Sequence, residues 1–351
     1  MASKTVVSLE ITEESVRALE VTLGPNPTLV AYGDVPLPAG AAKDSEVLDV
    51  DAVAVALQQL WAQSGITSRK VVLAVGNRRI LVREYAAPHL PLDQIKAALP
   101  YQVQDLLPVP VNQAVLDFYP IGEENGMVNG LLVAAVSETM EDLVAAAVKA
   151  KLYVESIDLV PFGLARAVQR MANAHEAAAV FHIGDHTTYV VIAIDGVPRF
   201  VRIVPADVRT TATESRTTVE VLEAEPVEVA VVSEANGRSS LRVRAAAARE
   251  DATAHDEEDF ASVSELANRL RSTLAFFAGR PGALPVAQVF VSGAGAANAA
   301  LIPALQSALN RPVRVVDVSA IANAKGAAPQ GELALNLLGT IGVVLGDGKK
   351  R

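Results

Sequence analysis

Three short stretches of the chain have residue types that can bind phosphate. Thr12–Ser15 and Gly184–Thr188 each lie between two apolar runs, and Ser292-Gly293-Ala294-Gly295 follows a third apolar run. Backbone N–H groups in glycine turns and at helix starts, together with Ser and Thr hydroxyls, can hold a phosphate group. Hairpin turns and tight packing at a strand–helix junction explain the same residues, so both interpretations stay open at this point.

Within these stretches the candidate contacts to a nucleotide are few. Glu13 and Glu14 would repel a phosphate from the first turn. The histidines show no metal-ligand spacing, and His182 and His186 are separated by a turn and do not share a helix face. The candidate nucleotide-binding residues are therefore Thr12, Ser15, Gly184, Asp185, Thr187, Thr188, Gly293 and Gly295.

A repeated order of strands positions the first two stretches. Apolar runs bounded by turn residues predict three strands around each stretch. The predicted strands are Thr5–Ile11, Val16–Leu23 and Thr28–Val35, and then Val180–Ile183, Thr188–Ile194 and Pro198–Val204. Two such units half a chain apart favour a duplicated α/β fold, although two ordinary antiparallel meanders would give the same pattern.

The pattern changes in two other regions. Leu92–Leu106 has apolar residues at helical spacing, and Pro100 inside it predicts a kink. Between Arg209 and Asp259 the composition changes: Thr218–Val232 alternates apolar residues with glutamate, and Ala246–Asp259 is rich in Ala, Glu and Asp without periodicity. There we predict a strand at Thr218–Val232, its hairpin partner at Ser240–Ala245, an exposed and mobile stretch at Ala246–Asp259, and a helix that begins at Ser262 with a capping box to Glu265.

Length and composition narrow the function classes. A chain of 351 residues exceeds one ordinary core, and its net charge of −10 argues against nucleic acid as a partner. The absence of cysteine excludes disulfides and thiol chemistry. The longest weakly polar stretch, Leu333–Leu345, is shorter than the roughly 20 residues that cross a bilayer. With no signal-peptide pattern at Met1, we expect a cytoplasmic protein without direct membrane insertion.

Several stretches, in their order and spacing, resemble the PilM family of type IV pilus assembly proteins. The matching segments are Val7–Ile11 with Ser15–Val21, Val82–Tyr85, Leu107–Pro110 before Val115–Asp117, Ile157–Arg166, Gly184–Val204 and Val289–Val313. The resemblance implies an α/β fold, actin-like and two-lobed, with an inserted FtsA-type subdomain. The implied division is a first lobe at 1–80, an inserted subdomain at 81–153, a return to the first lobe at 154–177, a second lobe at 178–345 with a divergent insertion at 209–259, and a basic tail at 346–351.

The resemblance also implies a function in binding. PilM-like proteins receive the cytoplasmic N-terminal segment of PilN, a single-pass inner-membrane protein, in a groove beside the inserted subdomain. We therefore expect a scaffold of the pilus machinery, held at the inner face of the cytoplasmic membrane through its partners. The predicted groove residues are Tyr85, Leu99, Val103, Leu106 and Phe118; the alternative is that the same five side chains form the subdomain core.

The sequence departs from the family at the phosphate turns. Where the family has Asp-Ile-Gly, this chain has Glu10-Ile11-Thr12 in the first turn and His182-Ile183-Gly184 in the second. Glu10 is the remaining candidate for Mg²⁺, which prefers hard oxygen ligands. We expect a degenerate site with no cofactor or only weak ATP/Mg binding. The alternative is an active ATPase whose nucleotide state switches partner binding. An FtsA-like filament protein is disfavoured because no amphipathic helix follows Leu345.

Overall fold

A computed structural model describes residues 5–216 and 239–345, with the backbone alone given for 239–258. The strands are β1 Thr5–Ile11, β2 Ser15–Thr22, β3 Thr28–Pro36, β4 Ala42–Lys43, β5 Glu46–Val47, β6 Lys70–Val75, β7 Leu81–Pro88, β8 Ala114–Glu124, β9 Met127–Val136, β10 Tyr153–Leu159, β11 Ala177–Ile183, β12 Thr187–Ile194, β13 Val197–Pro205, β14 Val286–Ser292, β15 Arg314–Val315 and β16 Asn323–Ala324. The helices are α1 Val50–Ser64, α2 Leu92–Gln102, α3 Ser137–Lys149, α4 Val160–Val168, α5 at 211–216, α6 Ser239–Ala278, α7 Leu301–Leu309 and α8 Gly331–Gly342.

The first lobe is built on a six-stranded sheet of order β10-β6-β1-β2-β3-β16. The strands β1, β2 and β3 form an antiparallel meander, and β6 joins β1 in parallel on its other side. Helix α1 covers this sheet: Asp49 caps its first turn by accepting hydrogen bonds from Asp51 and Ala52, and Gly65 ends it in the left-handed conformation.

The second lobe repeats that arrangement in a sheet of order β13-β12-β11-β14-β15. Here β11, β12 and β13 form the antiparallel meander, and β14 pairs with β11 in parallel. The equivalence of β1, β2, β3 and β6 with β11, β12, β13 and β14 confirms the duplication that the sequence predicts. Each meander therefore places its first turn at the same edge of its own lobe.

The inserted subdomain is a three-stranded sheet of order β7-β9-β8 with α2 packed on one face. Its own core contains seven buried side chains: Ala87, Ile95, Leu99, Val103, Phe118, Val128 and Leu132. Helix α3 lies within the predicted range of 81–153 but packs against α1 of the first lobe. Its Leu143 and Ala146 belong to the same buried cluster as Leu57 and Leu60 of α1.

Two segments of the C-terminal part cross between the lobes. Helix α8 packs against α4, where the backbones at Gly163 and Gly342 leave no room for a Cβ atom. The second segment is β16, which precedes α8 in the chain. It pairs with β3 and so completes the first lobe's sheet. The predicted second lobe at 178–345 therefore includes a strand that belongs to the first lobe.

The region predicted at 209–259 folds differently from the expectation where it is described. Helix α6 runs without interruption from Ser239 to Ala278, so Ser240–Ala245 is helical and not a strand, and Ser262 lies inside the helix instead of beginning it. The stretch predicted as mobile at 246–259 is part of the same helix. The predicted strand at Thr218–Val232 lies outside the described residues. Among the described helices, none combines the length and the apolar character needed to cross a membrane.

Candidate functional site

The turns that begin the two duplicated meanders meet across the cleft between the lobes. In the first, the Thr12 N–H and hydroxyl both donate to the Ser15 carbonyl at 2.9 Å. In the second, the Gly184 N–H donates to the Thr187 carbonyl at the same distance. The two turns thus have related hydrogen bonding, and their tips carry Glu13 and Glu14 on one side and Asp185 and His186 on the other.

An imidazole links the two tips. His186 Nε2 lies 2.8 Å from Glu14 Oε1 of the first lobe, and His186 Nδ1 lies 2.8 Å from Asp207 Oδ1 of the second. The hydrogen bond to Glu14 raises the pKa of His186 to about 9, with Asp207 and Glu13 adding to the effect and partial burial opposing it. The ring is therefore protonated at neutral pH, and a cation bridges carboxylates of both lobes.

A second cation reinforces this bridge. The Arg216 Nη1 atom lies 3.0 Å from Glu14 Oε1, and Arg216 Nη2 donates to the Glu13 backbone carbonyl at 3.1 Å. Glu14 is 5% exposed, so its charge is stable only because two cations contact it. We call His186, Glu14, Asp207 and Arg216 the interlobe charge cluster.

Beneath the first turn lies a buried ion pair. Thr340 donates from its hydroxyl to Glu10 Oε2 at 2.6 Å, and Arg17 Nε lies 3.9 Å from the same oxygen. Arg17 also donates from Nη2 to the Thr12 hydroxyl at 3.2 Å. Glu10 and Arg17 are each 4% exposed. The carboxylate that the sequence offers to Mg²⁺ is therefore already neutralised by a guanidinium of the same sheet.

His182 takes the position of the second expected aspartate but is held as a neutral ring. It is 3% exposed, and burial, helped by the charge of Arg17, lowers its pKa to about 3. Its ring stacks on Tyr189 with centroids 5.8 Å apart, and the Tyr189 hydroxyl donates to the Gly76 carbonyl. Burial also raises the pKa of Tyr189. These rings fill space at the base of the cleft.

The glycine turn after β14 packs against protein. Gly293 has φ +86°, and a Cβ atom there would lie 2.3 Å from the Ile183 carbonyl oxygen; at Gly295 it would lie 2.5 Å from Ile183 Cγ2. The Ala294 N–H donates to Asn336 Oδ1 at 2.8 Å. Both glycines therefore allow close packing on the end of β11, and this N–H group already has an acceptor.

The N–H groups at the start of helix α5 also have hydrogen-bond acceptors within the chain. Its first residue, Thr211, donates from its N–H and its hydroxyl to the Glu332 carboxylate at 3.0 Å. Asp185 accepts from the Thr210 hydroxyl at 2.5 Å. Of the other candidates, Ser15 starts β2, and Thr187 and Thr188 are buried at the start of β12. A helix start is a natural anion site, and here a carboxylate of the chain occupies it.

These contacts decide whether the site fits a magnesium nucleotide. Between the two turns the cavity is about 30 Å³, room for one or two waters and not for a phosphate chain. Beside it lies a larger cleft of about 840 Å³ whose charged lining is Glu14, Asp34, Asp185, Glu332 and a single cation, Arg216. An acidic lining repels a triphosphate. The residues present do not fit the nucleotide that the fold family implies.

The predicted groove residues divide into two groups. Leu99, Val103 and Phe118 are at most 2% exposed and belong to the subdomain core, which is the alternative that the sequence left open. Leu99 of α2 and Val103 at its end face the sheet, and α2 covers Phe118 on β8. Tyr85 is partly exposed, and its hydroxyl donates to Gln102 at 2.9 Å; Leu106 is 36% exposed. Only these two of the five reach the surface.

A family model described as the type IV pilus assembly protein PilM matches residues 8–203, more than half of the chain. The chain belongs to the PilM family.

Solved structures agree with this assignment at the level of the fold. A PilM–PilN type IV pilus biogenesis complex superposes with a TM-score of 0.78 at 21% identity over 98% of this chain and 99% of that chain. The ethanolamine utilization protein EutJ from Carboxydothermus hydrogenoformans gives 0.52 at 13% identity over 98% and 90%. The predicted actin-like, two-lobed α/β fold is confirmed.

The functional residues that sequence reasoning missed are the members of the interlobe charge cluster. Glu14 was considered only as a charge that repels phosphate, and His186 only as a residue without metal-ligand spacing. Asp207 and Arg216 were not singled out. The one available signal was the position of Glu14 and His186 at equivalent turns of the duplicated units, which implies that they face each other once both lobes form.

Proposed function

We propose that this PilM-family chain is a binding scaffold of the type IV pilus machinery whose cleft is closed by its own charges instead of by a nucleotide. The observation that carries the proposal is the interlobe charge cluster, in which His186 and Arg216 of the second lobe both contact the carboxylate of Glu14 in the first lobe. In an actin-like ATPase the two turns would hold phosphates; here each turn holds the other. Partner binding then does not depend on nucleotide.

The partner we propose is the cytoplasmic N-terminal segment of a PilN-like single-pass inner-membrane protein. Support comes from family membership and from the similarity of this fold to the structure of a PilM–PilN complex. The chain would then sit at the inner face of the cytoplasmic membrane through that partner. An extended apolar segment suits a surface with exposed apolar side chains beside a sheet.

The inserted subdomain offers such a surface. Five apolar side chains of the subdomain are between 36% and 82% exposed: Leu90, Leu92, Tyr101, Leu106 and Val115. Leu106 is the one that the sequence already assigned to the groove. Because it lies just past the end of α2 and is not part of the core, its replacement tests binding without disturbing the fold.

The proposal is tested by titrating the PilN-like peptide into the purified chain with and without Mg-ATP. A concentration of about 1 mM Mg-ATP is used, which is roughly a 100-fold excess over a low-micromolar site. We expect equal affinity in both conditions, and a loss of about tenfold in the Leu106→Asp variant at unchanged melting temperature. A scrambled peptide is the control. Binding that requires Mg-ATP would support the nucleotide-switch alternative, and no binding in either condition would overturn the scaffold proposal.

A further inference from the structure

A second groove lies between the inserted subdomain and the second lobe, away from the interlobe cleft. Its volume is about 610 Å³, within the range of peptide and ligand sites. One wall is formed by β7, β8 and β9 of the subdomain, and the other by β12, β13, the end of α6 and the loop after it. Most of the lining is apolar, including Tyr85, Ile121, Ile194, Phe277 and Leu284.

The groove has one cation without a salt bridge among the described residues. Arg199 on β13 lines it, and its Nε atom is buried without a hydrogen-bond partner. Its charge, after the hydrogen bonds from His175, helps to lower the pKa of Asp195, but the two side chains do not form a salt bridge. Arg280, across the groove, is already paired with Glu84 and lies over the Phe200 and Phe277 rings at 5.8 and 6.0 Å. A buried N–H without an acceptor is costly, and a carboxylate is the ligand that guanidinium groups bind best.

The groove is also bordered by a free strand edge. In the sheet order β7-β9-β8, β7 pairs only with β9, so among the described strands its other edge has no partner. Glu84–Ala86 of this strand line the groove. Unpaired N–H and C=O groups along an edge are a template for an added strand.

We propose that this groove binds an extended segment of a partner protein in which apolar side chains alternate with carboxylates. Its apolar side chains contact Phe277 and Leu284, one carboxylate pairs with Arg199, and its backbone extends the sheet at β7. Because the whole chain has a net charge of −10, an acidic segment is repelled from most other surfaces, which localises it to this positive spot. The proposal is independent of the PilN-like partner.

The test uses two fluorescent heptapeptides, acetyl-Ser-Val-Glu-Ile-Glu-Val-Ser amide and the same peptide with glutamine for glutamate. Anisotropy with the full chain should show about tenfold tighter binding of the glutamate peptide. Arg199→Gln should remove that preference. The matched control is Arg83→Gln, which replaces an exposed arginine on β7, and this variant should keep the preference for the glutamate peptide.

A second variant guards against an indirect effect. Leu284 is 46% exposed, so Leu284→Asp should fold normally while it supplies an internal carboxylate and removes an apolar contact. Binding should fall at least tenfold with the melting temperature unchanged. Equal affinity for both peptides, no binding of either, or displacement of the glutamate peptide by the PilN-like peptide would each overturn the proposal.

Discussion

The interlobe cleft and the groove beside β7 differ in how their charged side chains are paired. In the cleft, Glu14 is held by His186 and Arg216, and Glu10 by Arg17 and Thr340. In the groove, Arg199 has a buried Nε atom without an acceptor. The carboxylates of the cleft are therefore contacted by cations of the chain itself, and even Arg17 Nε, which lacks a hydrogen bond, faces Glu10 at 3.9 Å. Arg199, on β13 of the second lobe, has no such salt bridge among the described residues. Under the scaffold proposal, the cleft holds the two lobes together and the outer surfaces bind partners.

The largest expected effect concerns the subdomain, where core and surface residues alternate. Val103→Asp and Phe118→Asp each place an unpaired charge in the subdomain core, at a position where the native side chain is at most 2% exposed. We expect each to lower the free energy of unfolding by about 4 kcal/mol or more, enough to unfold the subdomain. Urea denaturation followed by circular dichroism measures it.

Leu106→Asp is the control for that pair because Leu106 is 36% exposed. It should cost less than about 1 kcal/mol, as surface replacements usually do. If Phe118→Asp melted like the parent chain, the side chain would be a surface residue and the original groove interpretation would be restored.

A smaller effect should follow from Gly293→Ala. The left-handed φ of +86° and the 2.3 Å approach of a Cβ atom to the Ile183 carbonyl both disfavour any side chain. We expect a loss of about 3 kcal/mol, from strain and local displacement. Gly326→Ala, where a Cβ atom meets nothing within 4 Å, should be neutral. Equal melting temperatures for the two variants would show that the glycine does not serve packing.

The interlobe charge cluster should make stability depend on pH. The pKa of His186 is raised to about 9 by Glu14 and Asp207, so the stabilisation is complete below about pH 6.5 and is lost as pH rises to 9. Since the ring is partly exposed and screened, we expect about 1–2 kcal/mol.

This loss is measured by urea titrations of the parent chain and of His186→Gln between about pH 6.5 and 9.5. That window of roughly three pH units is set by the unfolded and folded pKa values of the histidine. The parent chain should lose stability across the window, and the variant should show a shallower slope. His175→Gln, at an exposed histidine bonded to Asp195, should behave like the parent. Parallel slopes for the parent and His186→Gln would contradict the assignment.

The smallest expected effect is that of Mg-ATP. A ligand at 100 times its dissociation constant stabilises a protein by about 2.7 kcal/mol, which is several degrees of melting temperature. Because the cleft's anion sites are filled internally, we expect 1 mM Mg-ATP (about that excess over a 10 μM site) to shift the melting temperature by less than about 1 °C. A shift of several degrees, or nucleotide released from the purified protein, would show that the cleft opens to bind it.

How far the sequence predicts this molecule depends on the range of the interaction. Strand runs are local, so β1 is predicted to the residue and β2, β3, β12 and β13 to within one residue at each end, and the duplicated order follows from them. Helix α6 was misjudged because Ser262 and Glu265 look like a capping box, while the alanine-rich stretch before them has helix propensity without an apolar face.

The site lies beyond local reasoning for two reasons. Glu14 and His186 are 172 positions apart, and only the assembled lobes bring them together. Likewise, apolar spacing in 99–118 is the same for a core and for a groove, so it could not show that Leu99 and Phe118 point inward. The resemblance to the family supplied the fold; it could not supply the charges that this chain has substituted.

The pairing of β16 with β3 has a consequence for biosynthesis. Thr28 and Leu29 of β3 pair with Asn323 and Ala324 of β16. This edge of the sheet is therefore incomplete during synthesis until β16 has been made, nearly 300 residues later. At ordinary translation rates that interval is roughly 15–60 s. During it the nascent first lobe exposes an unpaired strand edge. Truncation before residue 323 would leave this edge of β3 unpaired and open to pairing with other chains.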